Sequence, residues 1–314
     1  MPQNRSRLKK RLWRTLLLLF LLMNGVAAMH AWQFTHFSEK DQDRTKDPER
    51  ISIKEKIKVM LTGISNPRPE NNGAPEFPYT TLHLQSNKNL ECWHIDRDSA
   101  KGTVILFHGY CGEKSSLLGQ AAIFRQAGYR VLLVDFMGSG GSEGNQTTIG
   151  YREAENVHTC YRYIRQREQG PIYLYGVSMG AAAVLKAVCD YHMEPAGLIL
   201  ECPYGSLYQT VCARFRNMGV PSFPMAGLLV FWGGLENGFW AFSLKPADYA
   251  RKVHCPVLLL NGQRDDKVSR QERDEIFHNL QGPKTQRIYP EAGHESYLYQ
   301  YRPEWTADIG QFLQ

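Results

Sequence analysis

The chain has 314 residues, of which 43% are hydrophobic, 22% charged and 11% aromatic. This is a globular composition, and it excludes a disordered, collagen-like or coiled-coil chain. The formal charge of +6 is carried by Arg5, Arg7, Lys9, Lys10, Arg11 and Arg14, which leaves 31 basic against 31 acidic residues in the rest of the chain. A neutral body lacks the positive field that nucleic-acid binding requires, so no nucleic-acid partner is expected.

The basic cluster runs into the apolar stretch Thr15–Met23 and then into the small residues Val26, Ala27 and Ala28. A positive start, a short apolar segment and small residues compose a secretory signal that could be cleaved after Ala28. The same residues also read as an uncleaved anchor, because no charge appears from Thr15 to Ser38 and about 20 mostly apolar residues cross a bilayer. Residues 1–37 are therefore a signal peptide or an N-terminal membrane anchor. Either reading puts the basic end in the cytoplasm and the body on the far side of the inner membrane. The chain touches the membrane through this segment only if it is uncleaved.

Residues 38–50 are polar and mixed in charge and read as a linker. Ile53, Ile57, Met60, Leu61 and Ile64 recur at helical spacing, giving a short amphipathic helix. Residues 66–78 are too rich in Pro and Gly to be anything but loop. The linker with its helix thus covers 38–78, and an α/β domain occupies 79–314. Tyr79–Leu84 and Leu90–Ile95 form a leading antiparallel pair. Apolar runs at Thr103–Phe107, Arg130–Phe136, Ile172–Tyr175, Gly197–Leu200 and Pro256–Leu260 have the character of strands buried on both faces. Helical stretches at 115–127, 151–168, 179–192 and 269–280 alternate with them, which predicts a mostly parallel central sheet with helices on both faces.

Seven scattered cysteines show neither C-x-x-C nor metal-ligand spacing, and are expected to be mostly buried free thiols. His294-Glu295 would open an H-E-x-x-H zinc motif, but Leu298 stands where the second histidine is needed. No metal and no cofactor are expected.

Gly176-Val177-Ser178-Met179-Gly180 is a G-x-S-x-G, and Gly140-Gly141-Ser142-Glu143-Gly144 matches the same template. Context separates them. A nucleophile elbow needs a buried strand running into the first glycine and a helix starting at the serine; only Ser178 has both, while Ser142 is followed by loop residues. A serine hydroxyl needs an adjacent base, itself oriented by an acid. His294 sits in a turn after the short strand Arg287–Tyr289 and before the last helix, from where an imidazole can reach back over the sheet. Asp265 leads the loop beyond the strand ending at Leu260, where catalytic groups collect in such sheets; Asp266 and Glu201 are the other carboxylates in range. An oxyanion hole would use the backbone N–H of Met179, at the start of a helix, and that of Tyr110, in Phe107-His108-Gly109-Tyr110.

These motifs resemble the α/β-hydrolase superfamily. The His108-Gly109 loop resembles its oxyanion element, Asp135–Gly144 its D-x-x-G-x-G-x-S-x-G loop, Cys255–Val268 its acid strand, and Gly293-His294 its histidine turn. The similarity covers about residues 79–314 and is nearest to the bacterial serine aminopeptidase S33-like, BEM46-like and lysophospholipase-like branch. The resemblance implies an α/β-hydrolase fold with Ser178, Asp265 and His294 as the triad. One departure is Asn261, where many relatives have His.

About residues 206–248 form an insertion rich in Phe, Trp, Leu and Met, at a place where this architecture carries a small cap. It reads either as an apolar lid over an acyl pocket or as a cap that buries itself on the body. The expected reaction is hydrolysis of a carboxylic ester, with a small-molecule or lipid-like ester as substrate. Peptidase, thioesterase and acyltransferase activities use the same triad, and a non-catalytic binding protein of this fold is the alternative of another class.

Overall fold

The computed structural model describes residues 2–38, 45 and 52–314. All of the expected 38–50 linker except residues 38 and 45 lies outside the described residues. Helix α1 (Pro2–Thr35) is followed by α2 (Ile53–Thr62), then β1 (Thr80–Gln85), β2 (Asn89–Ile95) and β3 (Thr103–Phe107). Next come α3 (Leu118–Gln126), β4 (Arg130–Val134), α4 (Glu153–Arg167), β5 (Ile172–Val177), α5 (Met179–Tyr191) and β6 (Gly197–Glu201). The rest is α6 (Leu207–Asn217), α7 (Met225–Glu236), α8 (Pro246–Tyr249), β7 (Val257–Gly262), α9 (Arg270–Asn279), β8 (Lys284–Tyr289), α10 (Tyr297–Gln300) and α11 (Arg302–Phe312).

The eight strands form one sheet in the order β1-β2-β4-β3-β5-β6-β7-β8. β2 is antiparallel to β1 and β4, and every other pair is parallel. The apolar runs are continuous because both faces are covered. Ile105, Phe107, Leu132, Val134 and Leu174 pack with α4 and α5 on one side. Their neighbours Val104, Leu106, Val131, Leu133 and Tyr175 pack with α3 and α11 on the other.

Three boundaries differ from expectation for physical reasons. β4 ends at Val134 because Asp135 turns inward to ion-pair with the Lys114 ammonium, which also bonds Glu91 at 2.7 Å and lies 4.1 Å from the Trp93 ring centre. The helix expected from residue 115 begins as a 3-10 turn over Lys114–Leu117, since the Lys114 N–H is taken by Asp135 at 2.7 Å. β8 starts three residues early, at Lys284. An edge strand tolerates the polar Lys284, Thr285 and Gln286 that hid it from an apolar-run criterion.

α1 has two different halves. Leu16 to Leu22 are exposed, whereas Ala27 and Ala31 are buried and the helix lies against α7, with the Trp232 indole N–H bonded to Asn24 at 3.1 Å. The helix runs through Ala28 without a break. α2 rests on its far end, where the Gln33 amide donates to the Thr62 carbonyl at 3.0 Å.

Lys114 is fully buried among two carboxylates, so removing its charge strands Asp135 in the core. Lys114→Met is expected to lower stability by about 3 kcal/mol, read as a lower urea midpoint of the full chain in detergent; an unchanged midpoint would contradict the role assigned to this network.

Candidate active site

The turn from β5 into α5 places Ser178 at φ 51°, a left-handed conformation rare for a residue with a side chain, which stores on the order of 1–3 kcal/mol. Its surroundings fix it there. The Ser178 N–H donates to the Glu201 carbonyl at 2.8 Å. A Cβ on Gly176 would lie 2.6 Å from the Ala181 nitrogen, and one on Gly180 would lie 2.4 Å from the Phe107 carbonyl oxygen. The two glycines of the motif are therefore steric requirements: the first lets the turn fold onto its own helix, the second lets the helix meet β3.

The Ser178 Oγ lies 2.9 Å from His294 Nε2, and His294 Nδ1 lies 2.8 Å from an Asp265 carboxylate oxygen. With Nδ1–H donated to Asp265, Nε2 is left to accept the serine hydroxyl. The other Asp265 oxygen accepts the N–H groups of Lys267 and Val268, both at 2.9 Å. Burial works to raise the Asp265 pKa, but these donors and His294 outweigh it and hold the carboxyl below its ordinary range. Burial likewise works to lower the His294 pKa; Cys202 and Asp265 beside it overcome this, and the net direction is upward.

The structure keeps the competing carboxylates and serine apart from this chain of contacts. Asp266 is exposed. Glu201 is buried against the Trp305 indole N–H, and desolvation pushes its pKa up to about 7. Ser142 is turned into the fold, donating to the Asp135 carbonyl at 2.7 Å and accepting the Glu91 N–H at 2.9 Å. His108 is fully buried: Nδ1 donates to the Gly109 carbonyl at 2.8 Å and Nε2 accepts the Phe136 N–H at 3.1 Å.

The loop after β3 reaches the elbow, since a Cβ on Gly109 would stand 3.7 Å from that of Ser178. Tyr110 follows Gly109. Met179 opens α5, so its N–H has no acceptor within the helix. Two neighbours were not singled out from sequence. Cys202, at φ 39° just past β6, is buried beside His294; its position at the carboxyl end of a central strand was the available signal. The end of α1 is the other, because the Tyr110 hydroxyl donates to the Phe34 carbonyl at 2.7 Å, and nothing in the local sequence announces that contact.

The sheet order and the elbow define an α/β-hydrolase fold, and comparison with known proteins agrees. The family model described as serine aminopeptidase, S33, matches residues 98–229. Among curated proteins, YqkD of Bacillus subtilis is 23% identical over 229 residues, covering 72% of this chain and 75% of that one. The lysophosphatidylserine lipase ABHD12 of Danio rerio is 25% identical over 219 residues, covering 64% of this chain and 54% of its own. Among solved structures, the esterase Pf2001 of Pyrococcus furiosus superposes with a TM-score of 0.65 at 22% identity, over 79% of this chain and 95% of that one. The chain thus has the α/β-hydrolase fold, and its S33 match spans the elbow.

The raised pKa of His294 has a kinetic sign. Only the neutral imidazole can accept the serine proton, so the reaction of the site with a fluorophosphonate should quicken as pH rises through that pKa. The acid limb of the rate is expected above the ordinary value of about 6.5, and Cys202→Ala is expected to move it to lower pH. A limb at or below 6.5 that ignores Cys202→Ala would contradict these electrostatics.

Proposed function

We propose that the protein is a serine hydrolase that cleaves lipophilic carboxylic esters through an acyl-enzyme on Ser178. The observation that carries this reading is the continuous Ser178–His294–Asp265 hydrogen-bond chain, at 2.9 and 2.8 Å, on a strained strand-to-helix turn. Ser178 Oγ attacks the ester carbonyl carbon while His294 Nε2 takes its proton. The oxyanion is held by the N–H groups of Met179 and Tyr110, a contribution of about a hundred- to thousand-fold per donor. Collapse expels the alcohol, which takes the proton from His294. A water then gives a proton to His294 and attacks the acyl carbon, and Ser178 leaves with that proton. Asp265 stays ionised throughout and fixes the tautomer of His294.

The lipophilic preference is supported by the segment between β6 and β7. Its exposed side chains include Phe223, Phe231, Leu235 and Trp240. α1 serves here as an uncleaved anchor, with its basic end in the cytoplasm and the body across the membrane. Its length is informative. Thr15–Met23, the stretch between the last cation and the Asn24 bond to α7, spans about 13 Å of helix, whereas a hydrocarbon core is about 30 Å thick. In this reading lipid also reaches the half of α1 that rests on α7, and the exposed Phe231 and Leu235 of α7, one helical turn apart, are offered to the bilayer. A substrate dissolved in that bilayer would meet the site without leaving apolar surroundings. The S33 match favours a peptide substrate as second reading.

Fluorophosphonate labelling of the full chain in detergent tests the nucleophile. Labelling is expected in wild type and in folded Ser142→Ala, and is expected to vanish in Ser178→Ala. Its persistence in Ser178→Ala would overturn the assignment. An ester, thioester and peptide panel with graded acyl lengths then separates the substrate classes.

A further inference from the structure

We infer that the end of α1 with the two residues after it, Gln33 to Phe37, is a clamp that positions both oxyanion donors, so that the anchoring helix is a working part of the active site. This rests on the serine-hydrolase reading and on Tyr110 and Met179 as the oxyanion donors. Two separate tethers carry it.

The first tether runs to Tyr110. Its hydroxyl donates to the Phe34 carbonyl at 2.7 Å and accepts from the Asn66 amide at 2.9 Å, and the same amide donates to the Gln33 carbonyl at 3.1 Å. The Arg214 guanidinium of α6 lies 5.6 Å from the Phe34 ring centre and 5.9 Å from the Tyr110 ring centre. The phenol is thus held at the far end of the side chain whose backbone N–H is the proposed oxyanion donor.

The second tether runs to Met179. The Thr147 N–H donates to the Thr35 carbonyl at 2.8 Å, and the Phe37 N–H donates to the Asn145 carbonyl at 2.6 Å, so the end of α1 pairs with 145–147. The Thr147 hydroxyl lies 3.4 Å from the Met179 sulfur and 2.6 Å from the buried Glu153 carboxylate. Carbonyls of a helix's last turn have no donor within the helix. Here two of them, those of Phe34 and Thr35, are engaged by the two loops.

Tyr110 is a positioning residue in this arrangement, since its phenol acts through its own backbone. The test compares Tyr110→Phe, Asn66→Ala and Trp232→Phe in the full chain in detergent, with p-nitrophenyl butyrate as probe. Tyr110→Phe keeps the backbone donor and removes the hydroxyl's bonds to Phe34 and Asn66. Its kcat is expected to fall about fivefold, the scale of one neutral hydrogen bond and short of the hundredfold or more for a lost donor, with KM within twofold. Asn66→Ala should show the same split and decides the matter if Tyr110→Phe does not fold. Trp232→Phe cuts the bond from Asn24 to α7, away from the oxyanion loops, and should leave kcat within twofold. An unchanged kcat in Tyr110→Phe and Asn66→Ala, a rise in KM alone, or an equal fall in Trp232→Phe would overturn the clamp. Failure of wild type to turn over the ester would instead strike the serine-hydrolase reading, and is visible before any substitution is made.

Discussion

Ser178 can hold its left-handed backbone conformation only while three other pieces of chain are pressed against it. The end of β6 accepts its N–H through the Glu201 carbonyl. The end of β3 comes so close that only glycine fits at position 180, and α5 folds back so tightly that only glycine fits at 176. Remote packing supports each of these. Beneath the β3 loop, the buried Lys114 joins Asp135 and Glu91, and Asp135 also accepts the Gly141 N–H and the Asn71 amide, both at 2.8 Å. One buried ion network thereby ties β2, the end of β4, the 3-10 turn before α3 and the segment before β1. Burial makes such a network costly to break on one side, which is what rigid loop placement needs.

The electrostatics at the other end of the site arise from the same burial. Desolvation acts against ionisation of both Asp265 and His294. His294 and two backbone N–H groups offset it for the carboxylate, and Cys202 together with that carboxylate offsets it for the imidazole. The result is a carboxylate that stays charged beside an imidazole that gains protons readily, the order the proposed tautomer-fixing pair requires.

Much of this was legible in the sequence because it rests on local rules. The strands from Thr103 to Leu260 announce themselves as apolar runs, since a parallel sheet buries both faces. The Ser178 turn announces itself through its two glycines, and Ser142 is set aside by the loop residues after it. The edge strand β8 was only half visible, because polar residues at an edge carry no burial signal. Cys202 was missed because a thiol after a buried strand looks like any core cysteine. The role of the α1 end was invisible for a deeper reason. Its contacts are made by the carbonyls of Phe34 and Thr35 to Tyr110 and Thr147, and a main-chain acceptor leaves no mark on residue identity. The apolar N-terminus therefore reads as a removable or anchoring segment, while the structure docks half of it on α7 and the loops around Ser178.

The most direct measurement is to trap the acyl group. The full-length protein would be mixed with p-nitrophenyl butyrate, quenched in acid within the first turnovers, digested and analysed by mass spectrometry. A serine-hydrolase mechanism predicts a butyryl adduct on the peptide containing Ser178. Turnover with no adduct there, or an adduct carried by Ser142 or Cys202 instead, would contradict it.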